Sequence, residues 1–527
     1  MFTPDYNKVV KRPQDEEDLT REQAMEFVKC ANDREYFMRK YLYVQHPSDG
    51  AVLFHPRDYQ QEMLDLMEEY RFLIMNLPRQ SGKTSSSIGF LLHAAIFTPN
   101  ETIGITSNRQ INVKDIMGRI RYSYENLPWW LKPPVTEYSK FKISFAVNHS
   151  SIEGATTTES TFRGRSMTKL FLDEFAHVKP VIAEEFWTSI LPVISAAGED
   201  SAKTQIIIAS TPNGTEGQYA RLWFGAVNGD NGFKEYKVYP DRIPGRDANF
   251  KREMLRKMTY EKYMQEYEGA FLSSKSTLVN STVLESIRPK EPISGSNDDL
   301  LLFGDFRNKT VAICCDVGEG VGKDFHAIQI FDIDGMEQLG EWRNNVMTQT
   351  QFTHVIINVI RMIHNSGAKE IYYTVENNSI GMGVINLLIN SDDSALNHAI
   401  MVSDIKHRKK GIPTNTASKA RGCMLLKDLV EGWKLKLHSK RLLTELKFFV
   451  KSGASFASER GRGEGHDDLT MACVLFCNML DLLAHYEESV YDLLNNIHLQ
   501  DEEEDSLSHT PMPIIFGGET DPFNDSV

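Results

Sequence analysis

Residues 76–87 read NLPRQSGKTSSS, and the reading of this stretch decides the fold. The apolar run RFLIMNL (71–77) leads into it, and the helical pattern SSSIGFLLHAAIF (85–97) follows. Strand, loop, then Gly-Lys-Thr opening a helix is the context of a nucleotide phosphate loop. Backbone N–H groups and the positive end of the helix cradle phosphate oxygens there. On this reading Arg79, Gln80, Ser81, Gly82, Lys83 and Thr84 contact ATP. Lys83 neutralises β/γ charge and Thr84 holds Mg2+. Leu77 stands where G-x-x-x-x-G-K-[ST] has its first glycine. A helix cap followed by a surface lysine would explain the stretch taken alone.

Partner motifs outweigh that reading. TKLFLDEFAH (168–177) is a buried strand ending in two acids. Asp173 would hold Mg2+ through water, and Glu174 would orient and deprotonate the attacking water. Both motifs are expected at neighbouring strand ends of one sheet, which points to ATP hydrolysis. TQIIIASTPNG (204–214) ends a third strand, where Ser210, Thr211 and Asn213 would sense the γ-phosphate and couple it to motion. In HPRDYQQEML (55–64), Tyr59 and Gln60 would read adenine. Arg79 is the expected cis arginine finger. Arg163 and Arg165 in TFRGRS are alternatives.

Five segments organise the chain. Residues 1–50 form an N-terminal helical segment, with one amphipathic helix in REQAMEFVKCANDREYFMRKYL. Residues 51–273 form an α/β ATPase domain with a helical lid. RFLIMNL, ETIGITS, TKLFLD and TQIIIAS alternate there with helical patterns, so a mainly parallel sheet is expected. Residues 274–305 are rich in Ser, Asn and Pro and read as a linker. A second α/β domain occupies 306–485, and 486–527 is an acidic tail, with a docking peptide expected at PIIF.

The second domain carries scattered carboxylates. TVAICCDVGEGVGKD (310–324) puts Asp316 at the end of an apolar strand, with Asp324 after a glycine-rich turn as a second-rank candidate. IYYTVENNSIG (371–381) puts Glu376 at the end of another strand. GEGHDDLTMACVLF (463–476) puts Asp467 and Asp468 at a helix start. This order resembles the RNase H-like nuclease arrangement. Clustered bare carboxylates raise one another's pKa, and Mg2+ or Mn2+ relieves the repulsion. Two such ions would serve phosphodiester hydrolysis. Asp468 is preferred to Asp467 as the ligand, because Asp467 is the better placed to cap the helix. Between the second and third acids, Lys406, Arg408, Lys409, Lys410, Lys419 and Arg421 suit contacts to the DNA backbone, with little sequence preference.

Composition alone would mislead. With 58 Lys+Arg against 72 Asp+Glu, the net charge of -14 argues against a nucleic-acid binder. Yet residues 486–527 hold eleven acids and no Lys or Arg, and 401–465 carry a local +9. Six Cys in 527 residues form no disulfide framework. No apolar stretch suits a signal peptide or a membrane span.

The linked series resembles the large terminase subunit of tailed bacteriophages, closest to the contractile-tailed phage type. It runs through RDYQQEML, NLPRQSGKT, LFLDEFAH, IIIASTPNG, QEYEGAFL, CDVGEGVGKDFHA and GHDDLTM. An Arg-Gln segment in place of the first glycine is normal in that family. The resemblance implies an ATPase that pumps double-stranded DNA into a procapsid and a nuclease that cuts the concatemeric genome. Lys83, Asp173 and Glu174 map to its ATPase motifs, Tyr59 and Gln60 to its adenine motif, and Ser210 and Thr211 to its coupling motif. Asp316, Glu376 and one of Asp467 or Asp468 map to its nuclease triad. Implied partners are the portal protein, a small terminase subunit and further copies in a ring of five. The implied location is the host cytoplasm, transiently at the portal. The competing reading is a helicase-like ATPase fused to a repair or resolvase nuclease.

Overall fold

The computed structural model describes residues 9–15, 18–46, 50–195, 204–272, 277–293, 300–318, 324–404, 410–452, 455–458 and 466–484. The expected tail, its PIIF peptide and Lys406, Arg408 and Lys409 lie outside these residues. The chain divides into two compact units, with the boundary between Arg288 and Pro289.

The first unit opens with α1 (Arg21–Asn32) and α2 (Arg34–Tyr41), where one helix was expected. Asp33 makes the break. Its side chain accepts the Tyr36 N–H and so starts a new helix. A small hairpin follows, β1 (Tyr43–His46) with β2 (Gly50–Leu53). The main elements are then α3 (Asp58–Glu69), β3 (Phe72–Asn76), α4 (Lys83–Phe97), β4 (Thr102–Ser107), α5 (Gln110–Glu125), β5 (Val135–Tyr138), β6 (Lys142–Phe145) and β7 (Ser151–Thr156). After them come β8 (Lys169–Asp173), α6 (Pro180–Ser195), β9 (Gln205–Ser210), α7 (Gln218–Asn228), β10 (Lys234–Lys237), α8 (Ala248–Leu255), α9 (Tyr260–Glu266) and α10 (Ser281–Ser286).

Eight strands form one sheet in the order β10-β3-β9-β8-β4-β7-β6-β5. The strands from β10 to β7 are parallel, and β6 and β5 close that edge antiparallel. All four expected strands are present. One expectation is corrected: the strand of the phosphate loop and the strand of the acidic pair are not neighbours. β9, which carries Ser210, lies between them. The register pairs Asn76 with Ser210, and Ala209 with Asp173. The carboxyl ends of three motif strands therefore lie side by side, where ligands of open α/β sheets bind.

The second unit contains β11 (Leu300–Leu302), β12 (Thr310–Asp316), β13 (His326–Asp332), β14 (Glu337–Asn344), α11 (Gln349–Asn365), β15 (Glu370–Val375), α12 (Gly381–Ile389) and β16 (Ile400–Met401). Then follow α13 (Thr416–Glu431), α14 (Lys440–Phe448), β17 (Phe449–Ser452), β18 (Ser455–Ser458) and α15 (Asp468–Leu483). The sheet order is β11-β14-β13-β12-β15-β16. β12 runs antiparallel to β13 and parallel to β15. Alternation along β12 divides its side chains between two helical layers. Val311, Ile313 and Cys315 join a core with Ile356, Ile360 and Ile363 of α11. Cys314 turns the other way and its thiol meets the Met479 sulfur of α15 at 3.6 Å. Asp316, two residues on, shares that α15 face.

The described parts of segment 274–305, residues 277–293 and 300–305, are more structured than a linker. Asn280 caps α10, and Leu278, Val279 and Leu284 are buried in the first unit. β11 adds an edge strand to the second unit by pairing with β14. Leu278, Val279 and Leu284, with Leu300–Leu302 of β11 and the buried Phe303, anchor a stretch otherwise rich in Ser, Asn and Pro. All six cysteines are free and buried. Among the described residues, no helix is long and apolar enough to cross a membrane.

Candidate active sites

The phosphate loop is shaped by its backbone. Gln80 and Gly82 adopt positive φ angles of 56° and 77°. Gly82 is the residue before α4, and a Cβ there would run into the Gln60 amide. Tyr59 donates its hydroxyl to the Ser81 carbonyl at 2.7 Å, and the Gln60 amide nitrogen donates to the same oxygen at 3.2 Å. The Gln60 side-chain oxygen accepts the Arg57 N–H at 3.0 Å. Both residues are buried. Their polar atoms thus brace the loop, because buried polar groups need partners.

Lys83 reaches the acidic strand end. Its ammonium donates to Glu174 Oε1 at 2.6 Å and lies 3.5 Å from Asp173 Oδ1. Burial disfavours the Lys83 charge, but Asp173 and Glu174 outweigh it and raise its pKa. Burial pushes Asp173 up to about 6; Lys83 pulls against this and Glu174 adds to it. Asp173 Oδ1 is buried without a hydrogen bond among the described residues. With the Thr84 hydroxyl on the first turn of α4, this donor set fits Mg2+.

Glu174 sits in the left-handed region at φ 52°, immediately after β8. Strain of this kind is typical of functional positions. The Ser210 hydroxyl lies 3.4 Å from Glu174 Oε2, and His177 Nε2 lies 3.7 Å from the same oxygen. His177 Nε2 also meets Thr211 Oγ1 at 3.0 Å. Burial lowers the His177 pKa, which favours the neutral ring. Ser210 and Thr211 therefore stand against the acidic motif. The Gln265 amide reaches Asn213 Oδ1 at 3.3 Å.

Arg79 extends outward. Its Nε donates to Glu266 Oε2 at 2.5 Å, and its backbone N–H donates to the Glu266 carbonyl at 3.0 Å. Burial opposes the Glu266 charge, but Lys262 and Arg79 outweigh it and hold its pKa low. Of the alternatives, Arg165 pairs with Glu153 at 2.5 Å on the surface, and Arg163 is exposed.

In the second unit the register places the acids. Cys315 of β12 pairs with Val375 of β15, and the Glu376 N–H donates to the Cys315 carbonyl at 2.9 Å. Asp316 and Glu376 therefore end adjacent parallel strands. Burial raises the Asp316 pKa well above the usual range, and Glu376, Asp468 and Asp467 add to it. The Asn378 amide donates to Glu376 Oε2 at 2.6 Å, while its oxygen accepts the Ile380 and Gly381 N–H groups. Glu376 and Asp468 are each only 8% exposed. Packing α15 against β12 brings the third acid to the same place. Carboxylates crowded in this way are the donor set of a divalent cation. Among the described residues no three such ligands are already closed round one point.

The reason for preferring Asp468 is corrected. Asp467 occupies the cap position of α15 but makes no side-chain cap bond. Its Oδ2 instead accepts the Ser458 N–H at 3.4 Å. Asp324 is exposed and stands outside the group of charges that act most on Asp316.

A family model described as the N-terminal part of the T4-like large terminase subunit matches residues 74–285. A second, described as the terminase RNaseH-like domain, matches residues 313–480. Together they span well over half of the chain. The chain belongs to the large terminase family. Its first unit is the ATPase and its second the nuclease of phage DNA packaging, and the helicase-type reading falls away. Among solved structures, the large terminase of bacteriophage HK97 is 12% identical, with a TM-score of 0.40, over 85% of this chain and 99% of that one. The large terminase of a thermophilic bacteriophage is 11% identical, with a TM-score of 0.31, over 80% and 99%. The ATPase domain of the Thermus phage P74-26 large terminase is 18% identical, with a TM-score of 0.35, over 42% and 95%. Likeness this distant supplies no residue-by-residue correspondence.

Three basic residues of this terminase's expected DNA segment are described. Lys410 is exposed, and the Asn377 amide holds its carbonyl at 2.5 Å. Lys419 lies 5.5 Å from the Phe449 ring, and Arg421 is 3.4 Å from Asp481. Sequence reasoning missed His177, Glu266, Asn378 and Glu445. His177 and Asn378 had a local signal, since both lie inside motifs already singled out. Glu266 also lies inside a quoted stretch, QEYEGAFL, but nothing there pointed to Arg79. Glu445 had no local signal, because its partners are remote in sequence.

Proposed function

We propose that this large terminase hydrolyses ATP through Lys83, Thr84, Asp173 and Glu174, and cuts DNA through Asp316, Glu376 and Asp468. The observation that carries the first site is the meeting of Lys83, Asp173, Glu174 and Ser210 at the carboxyl edge of β3, β9 and β8. Lys83 serves a phosphate by exchanging its bond to Glu174 for a phosphate oxygen. That exchange frees Glu174 to orient water. Ser210 and Thr211, already against Glu174 and His177, pass the change to the rest of the unit. Arg79 acts as the cis finger once Glu266 releases it. Tyr59 and Gln60, expected to read adenine, also hold the loop in register through the Ser81 carbonyl.

Thr84 and Asp173 would hold Mg2+ in the ATPase, and Asp316, Glu376 and Asp468 would hold Mg2+ or Mn2+ in the nuclease. When bound there, such ions would supply neutralisation of phosphate charge at the first site and activation of water at the second. Asn378 fixes the Glu376 rotamer there. Double-stranded DNA, the portal, a small terminase subunit and a ring of five copies complete the packaging machine in the host cytoplasm.

Crossed variants test these roles. Lys83→Ala and Glu174→Ala should each lower ATP turnover at least ~100-fold while plasmid cutting persists. Asp316→Ala should do the reverse. Hydrolysis retained in both ATPase variants, or normal cutting by Asp316→Ala, would overturn the assignment.

A further inference from the structure

A helix that opens on a catalytic acid faces a conflict. The first N–H groups of the helix lack intrahelical partners, and an Asp at its start ordinarily bonds them itself. An Asp so engaged is no longer free for a metal. In α15 neither Asp467 nor Asp468 takes that role. The Thr470 N–H, in the first turn, donates instead to Glu445 Oε2 at 2.8 Å, and Glu445 belongs to α14. The cap is supplied from a different helix.

Glu445 is itself buried beside a cation. Its side chain is 6% exposed, and its Oε1 lies 4.0 Å from Arg343 Nη1, which is 5% exposed. Arg343 lies on β14 opposite Ala327 of β13, and Ala327 lies opposite Asp316 of β12. Directly paired residues project from the same face, so Arg343 and Asp316 share the side that α15 covers. The Arg343 guanidinium lies 4.7 Å from the Phe325 ring centre. Phe325 meets the His466 ring edge-on at 4.8 Å, and His466 Nδ1 lies 3.6 Å from Asp468 Oδ2. Asp468 is thus approached from both sides of one packed group. Burial, with Asp468 adding, raises the Glu445 pKa, and Arg343 opposes the rise.

We propose that Glu445, buried beside Arg343, is a positioning residue of the nuclease: it caps α15 from outside and so leaves Asp468 free to ligate metal. This rests on the reading of Asp468 as a metal ligand. Glu445 need only accept a hydrogen bond at the right reach, so an amide of the same length should serve. A carboxylate one methylene shorter should not.

The test is Mn2+ binding to the full chain by electron paramagnetic resonance, taking as the nuclease component the binding that Asp316→Asn removes. Glu445→Ala and Glu445→Asp should each weaken that component at least ~10-fold, about 1.4 kcal/mol. Glu445→Gln should stay within ~3-fold of native, and ATP turnover should be unchanged in all three. The metal concentration for half-maximal cutting should move in step. Native-like Mn2+ affinity in Glu445→Asp, or equal weakening by Gln and Asp, overturns the proposal. The Gln and Asp pair decides even if the Ala variant does not fold. Asp468→Asn is measured alongside. Undiminished Mn2+ binding there removes the metal-ligand reading itself and the proposal with it. A native role for Asp468 with no effect at Glu445 removes the proposal alone.

Discussion

At the scale of single residues, Glu174 is contested by three groups of the ATPase site. Lys83, Ser210 and His177 all reach it. Of these, His177 joins it to Thr211, 34 positions along the chain. A neutral hydrogen bond of this kind contributes about 1 kcal/mol. His177→Ala should therefore lower kcat for ATP about 5-fold with little change in KM, as read by steady-state kinetics. An unchanged kcat would show that the ring only packs. Gly82→Ala should cost more, since Ala at φ 77° is strained by about 1–2 kcal/mol and its methyl meets the Gln60 amide. ATP affinity should fall while DNA cutting stays native. The strand-end places of Asp173, Glu174, Asp316 and Glu376 were legible in sequence because an apolar run that ends in Asp or Glu announces itself. Tyr59 and Gln60 were read as adenine contacts; their hydrogen bonds to Ser81 depend on a fold that no local pattern carries.

At the scale of elements, four ATPase strands were legible from apolar runs, but their order was not. Adjacency in a parallel sheet is set by crossovers, and the insertion of β9 between β3 and β8 leaves no trace in either strand. The single N-terminal helix failed for a local reason, since Asp33 caps a second one. In the nuclease, the start of β14 is tied by Glu337, which accepts from Lys290 at 2.9 Å and meets His438 Nε2 at 2.7 Å. Burial opposes its charge, but Lys290 and His438 outweigh it and hold its pKa at about 2 against an ordinary 4.5. The unfolded chain then takes up a proton at higher pH than the folded one. The stabilisation is fully present above about pH 4.5 and is lost as pH falls toward about 2. Because the side chain is a quarter exposed, it amounts to about 2 kcal/mol, less than the shift alone implies. Calorimetry of Glu337→Gln should show a lower unfolding temperature than native at pH 6 and a smaller difference at pH 3. A difference independent of pH would assign the loss to packing.

At the scale of the whole molecule, the charge of -14 concealed the function because it is unevenly spread. The eleven acids of residues 486–527, with no Lys or Arg, leave the rest of the chain at -3. Asp173, Glu376 and Asp468 among the remaining acids are buried at the two sites, whereas Lys410 is exposed. Each phosphate contact on duplex DNA adds about 0.9 to the slope of log K against log salt. Replacing Lys409 and Lys410 by Ala should therefore flatten that slope by up to about 1.8, as read by fluorescence anisotropy across salt concentrations. An unchanged slope would place the contacts elsewhere. The tail should act with the opposite sign. A segment of charge -11 repels DNA over about a Debye length, roughly 10 Å at 0.1 M salt and 3 Å at 1 M. A chain ending at residue 485 should bind duplex DNA more tightly than the full chain at 50 mM salt, and the two should converge as salt rises. Screening removes a through-space repulsion but not a specific contact. A difference that persisted into high salt would therefore mean that the tail occupies the DNA surface directly, and equal binding throughout would mean that it lies beyond reach of that surface.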